Sequence, residues 1–160
     1  MIVGGEMSDS EIRVLLVCLG NICRSPMAES VMRHYHAQTA LTDRFNVDSA
    51  GTSGFHAGER ADPRTLAVLA RHGAPQPSRS RALTPEDFNS YDWIIGMDKA
   101  NLRNMERLCP PGARARLGLM LEVTSGAEVP DPYYGGAGGF DRVFDMIFEA
   151  VPLWTKRMLA

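Results

Sequence analysis

The 160-residue sequence contains only three cysteines, Cys18, Cys23 and Cys109. A small and odd number of cysteines does not fit the disulfide framework of a small secreted domain. No stretch approaches the roughly 20 apolar residues that a membrane-spanning helix needs. The N-terminus also lacks the basic and apolar regions of a secretory signal. We therefore expect a cytoplasmic protein whose thiols stay reduced.

The sequence also lacks a strong excess of either charge, because 17 Lys and Arg residues stand against 19 Asp and Glu residues. The net charge of −2 gives no reason to expect a nucleic-acid or membrane partner, so any basic site must be local. A chain of this length is expected to form one domain with a substantial core. We place that domain at 12–160, after a flexible leader at 1–11 in which Met7 is an alternative start.

Short apolar segments alternate with amphipathic segments along the chain. The pattern predicts strands at 12–17, 45–50, 91–97 and 115–121. Helices are predicted from 25 to about 40, from 62 to 72, from 98 to 108 and in a closing segment from about 140, where Pro152 predicts a kink or break. Such alternation predicts a single-domain α/β fold: a doubly wound, four-stranded parallel sheet with helices on both faces.

The segment that follows the first strand reads C-L-G-N-I-C-R-S-P and begins at Cys18. A turn of this length at a helix N-terminus directs several backbone N–H groups inward and forms a nest for an anion. Arg24 can bind two phosphate oxygens with its planar guanidinium group. We call residues 18–25 the phosphate loop, and its remaining predicted phosphate-binding residues are Leu19, Gly20, Asn21, Ile22, Cys23 and Ser25.

Cys18 is the candidate nucleophile of the phosphate loop. The positive potential of the nest and of the helix N-terminus favours a thiolate, and a thiolate facing a bound phosphate can attack phosphorus. Ser25 is placed to stabilise that thiolate. A zinc site is disfavoured because the sequence has no second close Cys/His pair. A structural disulfide is disfavoured because thiols stay reduced in the cytosol. The sequence leaves open the alternative that one of the two loop cysteines is an inert core residue.

The stretch V-C-L-G-N-I-C-R-S-P-M-A-E resembles the active-site signature of the low-molecular-weight protein tyrosine phosphatases. Three more stretches match that family in order: D-S-A-G-T at 48–52, M-D-K-A-N-L at 97–102 and D-P-Y-Y-G at 131–135. The resemblance covers nearly the whole chain from Arg13 onward. It implies hydrolysis of phosphotyrosine and aryl phosphates through a phosphocysteine intermediate, with no metal or cofactor. The implied partners are phosphotyrosine-containing proteins and a tyrosine kinase.

The resemblance also assigns two aspartates. Asp131 is the implied general acid, and Pro132 partly fixes the backbone conformation of Asp131. In the second step, the same carboxylate is implied to activate the water that hydrolyses phosphocysteine. The alternative interpretation of Asp131-Pro132 is an ordinary surface turn. Asp98 is implied to position the acid or Arg24. The alternative for Asp98 is a helix N-cap, and the two roles are compatible.

Further roles follow from the resemblance alone. It implies that Phe55, Tyr133 and Tyr134 line the substrate slot, and the two tyrosines are phosphorylated in some relatives. Hydrogen bonds that shape the phosphate loop are implied for Asn21, Ser49 and His72, although His72 alone reads as a helix-end residue. A reversible disulfide between Cys18 and Cys23 is implied under peroxide, with Cys109 as a bystander. His34 and His36 are expected on the polar side of the first helix, without a role.

Three other functions compete with phosphotyrosine hydrolysis. Phosphoarginine phosphatases of the same family tend to carry threonine or a smaller residue in place of Ile22 and lack the double tyrosine. Thiol-dependent arsenate reductases need a further cysteine pair, and this chain offers only Cys109 beyond the phosphate loop. A non-catalytic phosphate-binding module is disfavoured because every catalytic position is present. The sequence therefore favours phosphotyrosine as the substrate.

Overall fold

The computed structural model describes residues 10–136 and 138–160, so most of the predicted leader lies outside the described residues. Four strands form one all-parallel sheet in the order β2-β1-β3-β4. The strands are β1 (Ile12–Cys18), β2 (Phe45–Gly51), β3 (Trp93–Gly96) and β4 (Arg116–Leu119). The helices are α1 (Arg24–Gln38), α2 (Pro63–Arg71), α3 (Asp87–Ser90), α4 (Lys99–Leu108) and α5 (Gly139–Leu159), with 3-10 turns at Thr42–Arg44 and Met120–Val123.

Both faces of the sheet are buried, as the predicted doubly wound fold requires. Val14 and Leu16 of β1 belong to one hydrophobic cluster, which includes residues of α1, α2 and α5. The alternate residues Leu15 and Val17 belong to a second cluster with α3 and α4. Because successive side chains of a strand point to opposite faces, this double burial explains why β1 reads as a nearly continuous apolar run. The predicted α/β fold with a four-stranded parallel sheet is confirmed.

The strand order places the phosphate loop at a favourable position for ligand binding. The chain passes from β1 to β2 on one side of it and then crosses back to β3 on the other side, so the strand order reverses at β1. Ligands of open parallel sheets bind at such a switch point, beyond the carboxyl ends of the strands. Cys18 ends β1 and Asp98 lies just beyond the end of β3. The fold therefore brings the first and third sequence motifs together.

Several predicted element ends differ from the structure by one or two residues, and the predicted break in the last helix is absent. The fourth strand ends at Leu119 rather than 121, because the chain turns there: the Glu122 carboxylate accepts a hydrogen bond from the Leu119 N–H at 2.7 Å. The predicted break near Pro152 is wrong, since α5 continues through Pro152 to Leu159. Residues on both sides of the proline, Val151 and Trp154, are fully buried, and this packing offsets the missing backbone hydrogen bond. No described helix is long and apolar enough to cross a membrane.

His36 does not lie on the polar side of α1, as the sequence had predicted, because its side chain is 2% exposed. It follows Met32 by four residues and Ala28 by eight, which puts all three on one buried face. Its Nε2 lies 3.0 Å from the Thr155 hydroxyl of α5, and its ring stacks on Phe45 at 4.1 Å. Burial lowers the pKa of His36 from 6.5 to about 4.

The buried His36 predicts a loss of stability in mild acid. Between the unfolded pKa of 6.5 and the folded pKa of about 4, only the unfolded chain takes up the proton. The free energy of unfolding therefore falls as the pH drops through this window, by about 2 kcal/mol at about pH 5. Urea unfolding at about pH 7 and about pH 5 measures this change. We expect it to shrink in His36→Gln and to persist in the control His34→Gln; equal changes in all three proteins would contradict the assignment.

Candidate active site

The phosphate loop is held in shape by Asn21, which has a positive φ of 57°. Its side-chain amide donates to the Ser25 hydroxyl at 2.8 Å. The side-chain oxygen of the same Asn21 amide, Oδ1, accepts a hydrogen bond from the Arg81 backbone N–H at 3.0 Å. Asparagine tolerates this left-handed backbone better than most residues. Asn21 therefore connects the start of α1 with the segment before α3.

The backbone around the phosphate loop is closely packed against β2. A Cβ atom on Gly51 would lie 2.8 Å from the carbonyl oxygens of Leu19 and Ser53, closer than such atoms can approach. The N–H groups of Thr52 and Ser53 donate to the carbonyls of Cys18 and Leu19, both at 2.9 Å. These bonds hold the loop carbonyls away from the pocket. The glycine of D-S-A-G-T is thus explained by this close approach.

Cys18 lies at the floor of a pocket of about 280 Å³ and is only 3% exposed. Its Sγ lies 3.0 Å from the Ser25 hydroxyl and accepts from the Ser25 N–H at 3.4 Å. Asn21 donates to the Ser25 oxygen, and the Ser25 hydroxyl hydrogen can point either at the Cys18 sulfur or at the Ala50 carbonyl, 3.4 Å away. The Ser25 N–H and hydroxyl therefore both lie within hydrogen-bond distance of the Cys18 sulfur.

Cys23 lines the same pocket but has a different electrostatic setting. Burial, and then the negative charges of Asp62, Cys18 and Asp131, raise the pKa of Cys23 to about 12. Cys23 therefore stays a protonated thiol at neutral pH. All three cysteines are unpaired, and among the described residues no cluster of three or more His, Cys, Asp or Glu side chains could hold a metal ion.

Arg24 is buried and fixed by the segments that follow β3 and precede α5. Its Nη1 donates to the Asp98 carboxylate at 2.7 Å and to the Val129 carbonyl at 3.0 Å. Its Nη2 lies 3.8 Å from Oδ2 of Asp131. Burial opposes the charge of this guanidinium, but the neighbouring Cys18 and Asp98 outweigh burial and raise the pKa of Arg24. A fixed, charged guanidinium beside the Cys18 thiol is suited to binding phosphate oxygens.

Asp98 makes two sets of contacts, one with its own helix and one with Arg24. One carboxylate oxygen accepts from the Asn101 N–H at 2.8 Å and caps α4, in a capping box that the Asn101 side chain completes. The other oxygen holds Arg24. Because the cap fixes the carboxylate on the rigid end of α4, Arg24 is positioned by a helix rather than by a loop.

Asp131 and the three aromatic residues lie around the mouth of the pocket. The Asp131 side chain is half-exposed, and its Oδ1 accepts a hydrogen bond from the Tyr133 N–H at 3.1 Å. Tyr134 and Phe55 are 92% and 83% exposed, which is unusual for large aromatic side chains. The residues that line the pocket are Cys18, Leu19, Gly20, Ile22, Cys23, Arg24, Phe55, His56, Asp131, Tyr133 and Tyr134. The pocket is therefore polar at its floor and aromatic at its rim.

Ser49 and His72 do not contact the loop in the way the resemblance implied. The Ser49 hydroxyl donates at 2.5 Å to Glu29, a fully buried carboxylate of α1. His72 lies at the far end of α2, where its ring stacks on Phe144 at 3.9 Å. The phosphate loop is close to the first residues of α2, and a nine-residue helix spans about 14 Å. His72 is thus too distant to shape the loop.

Sequence reasoning missed several residues that support the loop. The Ser80 hydroxyl donates to the Gly20 carbonyl at 3.1 Å, and the Thr65 hydroxyl donates to the Cys23 carbonyl at 3.2 Å. Glu29 also accepts hydrogen bonds from the N–H and hydroxyl of Ser78, both at 2.9 Å. These partners are separated by 42 to 60 residues along the chain, so no local pattern marks them.

Comparisons with known proteins match nearly the whole chain. The sequence profile of the family described as "Low molecular weight phosphotyrosine protein phosphatase" matches residues 13–160. A Schizosaccharomyces pombe protein of that name is 49% identical over 133 residues, which cover 81% of this chain and 85% of the relative. A crystal structure of a protein tyrosine phosphatase from Entamoeba histolytica is 38% identical with a TM-score of 0.88, covering 92% of this chain and 97% of that one. A structure described as Drosophila arginine phosphatase is 30% identical with a TM-score of 0.85, covering 91% and 97%.

Proposed function

Because this chain belongs to the low molecular weight phosphotyrosine protein phosphatase family and is a protein tyrosine phosphatase, we propose that Cys18, Arg24 and Asp131 carry out its reaction. The observation that supports this most directly is the floor of the pocket. There the Cys18 sulfur, which lies within hydrogen-bond distance of the Ser25 N–H and hydroxyl, faces the same cavity as the fixed guanidinium of Arg24. The substrates are phosphotyrosine-containing proteins.

The first step is attack by the Cys18 thiolate on the phosphorus atom of phosphotyrosine. The S–P bond forms as the P–O bond to the tyrosine ring breaks, which leaves a phosphocysteine. The nest of backbone N–H groups at residues 19–25 and the Arg24 guanidinium bind the non-bridging oxygens. Their positive potential stabilises the charge that these oxygens carry in the transition state. Asp98 contributes by keeping Arg24 in place.

Asp131 donates the proton that the leaving phenolate oxygen requires. Its carboxyl group lies at the mouth of the pocket, where the ester oxygen of a substrate seated on the phosphate loop would project. Once tyrosine has left, the Asp131 carboxylate accepts a proton from the water that attacks phosphocysteine, and inorganic phosphate is released. One residue thereby serves as acid in the first step and base in the second.

The aromatic rim is suited to a flat substrate ring. Phe55, Tyr133 and Tyr134 surround the mouth of the pocket, and stacked or edge-on aromatic contacts favour an aryl phosphate over an alkyl one. Ile22 also lines the pocket and packs against the hydrophobic core. Its branched side chain therefore takes up space in the wall of the pocket, where a smaller residue would leave room for a larger substrate group.

Phosphoarginine is the second candidate substrate, since one similar structure is described as an arginine phosphatase. We expect phosphotyrosine peptides to be preferred over phosphoarginine peptides by about tenfold or more in kcat/KM, because Ile22 and the tyrosine pair favour a ring. Ile22→Thr, which makes room and adds a hydroxyl, is expected to reduce this ratio. A side-by-side peptide assay measures both. A wild-type preference for phosphoarginine would contradict the proposal.

Three further properties are proposed on the same basis. Peroxide oxidises the Cys18 thiolate to a sulfenic acid and releases hydroxide. The Cys23 thiol, which lines the same pocket, then displaces the sulfenic hydroxyl as water and forms a reversible disulfide with Cys18. Mass spectrometry of the oxidised protein tests this pairing. The protein acts in the cytoplasm, in keeping with three unpaired cysteines.

A tyrosine kinase supplies its phosphorylated substrates, and Tyr134 on the rim is exposed enough to be a kinase substrate itself.

A further inference from the structure

Arg64 lies beside the pocket without lining it, and it is held by an unusually complete set of contacts. Asp62, the N-cap of α2, accepts hydrogen bonds from the Arg64 N–H at 2.8 Å and from its Nε at 3.0 Å. The second Asp62 oxygen accepts from Arg64 Nη2 at 2.9 Å. This fork fixes the plane of the guanidinium group. Nη1 remains available for a further partner.

That further partner is the segment that carries Asp131. Arg64 Nη1 donates to the Tyr133 carbonyl at 3.2 Å. The guanidinium carbon also lies over two rings, 5.2 Å from the centre of Tyr133 and 4.5 Å from that of Phe140, the second residue of α5. Such cation–π contacts stabilise both rings against movement. Arg64 thus connects the N-terminus of α2 with both Tyr133 and the start of α5.

The same end of α2 is attached to the phosphate loop. The Asp62 N–H donates to the Ile22 carbonyl at 2.8 Å, and the Thr65 hydroxyl donates to the Cys23 carbonyl. Asp62 therefore contacts the phosphate loop through its backbone and Arg64 through its carboxylate. The position of Arg64 is set relative to the atoms that bind phosphate.

Tyr133 in turn sets the orientation of Asp131. The Tyr133 N–H holds Oδ1 of Asp131 at 3.1 Å, which leaves Oδ2 turned towards Arg24, 3.8 Å from its Nη2. A shift of Tyr133 would therefore move the carboxyl group away from the phosphate site. Proton transfer requires hydrogen-bond distance to the leaving oxygen, so even a small shift reduces its efficiency.

We propose that Arg64 is a positioning residue for the general acid: together with Asp62 it fixes Tyr133, and through Tyr133 it fixes Asp131 against the phosphate loop. Arg64 touches none of the reacting atoms. The proposal rests on the proposed function, because it presumes that Asp131 donates a proton to the leaving group. It predicts that loss of Arg64 lowers kcat/KM most for substrates whose leaving group needs that proton.

The test compares leaving groups. Phenyl phosphate releases a basic phenolate that requires protonation, whereas para-nitrophenyl phosphate releases a weakly basic one. Arg64→Ala is expected to lower kcat/KM for phenyl phosphate by about tenfold and that for para-nitrophenyl phosphate by less than about threefold. Arg64→Lys keeps the charge but loses the fork, so a smaller loss with the same dependence on leaving group is expected.

A double variant separates positioning from a general effect on the fold. In an Asp131→Ala background, Arg64→Ala is expected to cause no further loss, because the acid that it positions is already absent. The matched control is Arg71→Ala, which removes an arginine of the same helix that pairs with Asp141 of α5 and does not line the pocket. It should leave kcat/KM unchanged for both substrates.

Each remaining outcome would overturn the proposal. These outcomes are no loss in Arg64→Ala, an equal loss for both substrates, or an undiminished loss in the Asp131→Ala background. If Arg64→Ala does not fold, the same comparison is made with Arg64→Lys and with Asp62→Asn, since asparagine also caps helices well. Failure of the proposed function itself is distinguishable, because Asp131→Ala alone would then leave kcat/KM for phenyl phosphate unchanged.

Discussion

Replacement of Cys18 with serine is expected to lower kcat for aryl phosphates by about 10⁴-fold or more. A serine hydroxyl at this position remains protonated at neutral pH and is a far weaker nucleophile than a thiolate. The fold should tolerate the change, because the side chain keeps its size and the hydroxyl can accept the same donors from Ser25. Steady-state hydrolysis of para-nitrophenyl phosphate, with a chelator present, measures the loss.

The other two cysteines provide controls for this experiment. Cys109→Ser changes a partly buried cysteine outside the pocket, so activity should be unchanged. Cys23→Ser should retain activity of the wild-type order, because Cys23 is held as a neutral thiol and offers the phosphate only its backbone N–H. If Cys18→Ser kept its activity while Cys23→Ser lost it, the two thiols would have been assigned the wrong way round.

The second large effect is expected at Asp131. Asp131→Ala should lower kcat/KM for phenyl phosphate by about 10²-fold to 10³-fold, because the leaving phenolate then departs without a proton. The loss should be smaller for para-nitrophenyl phosphate, whose leaving group is more stable as an anion. A plot of log kcat/KM against leaving-group basicity, over a series of substituted phenyl phosphates, measures the dependence.

Asp131→Asn is the matched control for shape. Its side-chain carbonyl can still accept the hydrogen bond from the Tyr133 N–H, but it cannot donate an acidic proton. We expect Asp131→Asn to lose as much activity as Asp131→Ala. Near-normal turnover in Asp131→Asn would mean that Asp131 acts by shaping its segment, as in an ordinary surface turn, rather than by acid catalysis.

The sheet and the phosphate loop were predictable because their signals are local. Because both faces of β1 are buried, every position from Val14 to Val17 is apolar. Gly20 and Asn21, which tolerate a positive φ, indicate the turn that follows. The N-cap role of Asp98 was predictable from the local pattern, whereas its contact with Arg24 was implied by the family resemblance. Local chemistry and fold agree at each of these places.

What the sequence could not supply depends on distant partners. Glu29 reads as a helix-start charge, and only the fold brings Ser49 and Ser78 to its buried carboxylate. Arg64 reads as a helix-surface residue until the segment after Asp131 is placed over it. The error over His72 has the same origin, because its position depends on the direction in which α2 leaves the loop. Pairings of this kind are decided by tertiary packing.

The two thiols of the phosphate loop illustrate how a short motif acquires different chemistry at neighbouring positions. Cys18 ends a strand, where the Ser25 N–H and hydroxyl converge on its sulfur. Cys23 is the N-cap of α1 and is surrounded by Asp62 and Asp131, which oppose a second negative charge. The spacing of the cysteines alone does not separate these settings. Their hydrogen-bond donors and neighbouring charges do.

The most direct test of the mechanism is to trap the covalent intermediate. Wild-type protein is mixed with an aryl phosphate and rapidly denatured, and the phosphorylated residue is located by phosphorus NMR and peptide mass spectrometry. We predict one phosphoryl group on sulfur in the peptide that contains Cys18, and none in the Cys18→Ser protein. A phosphoryl group on Cys23, or on any residue in the Cys18→Ser protein, would contradict the mechanism.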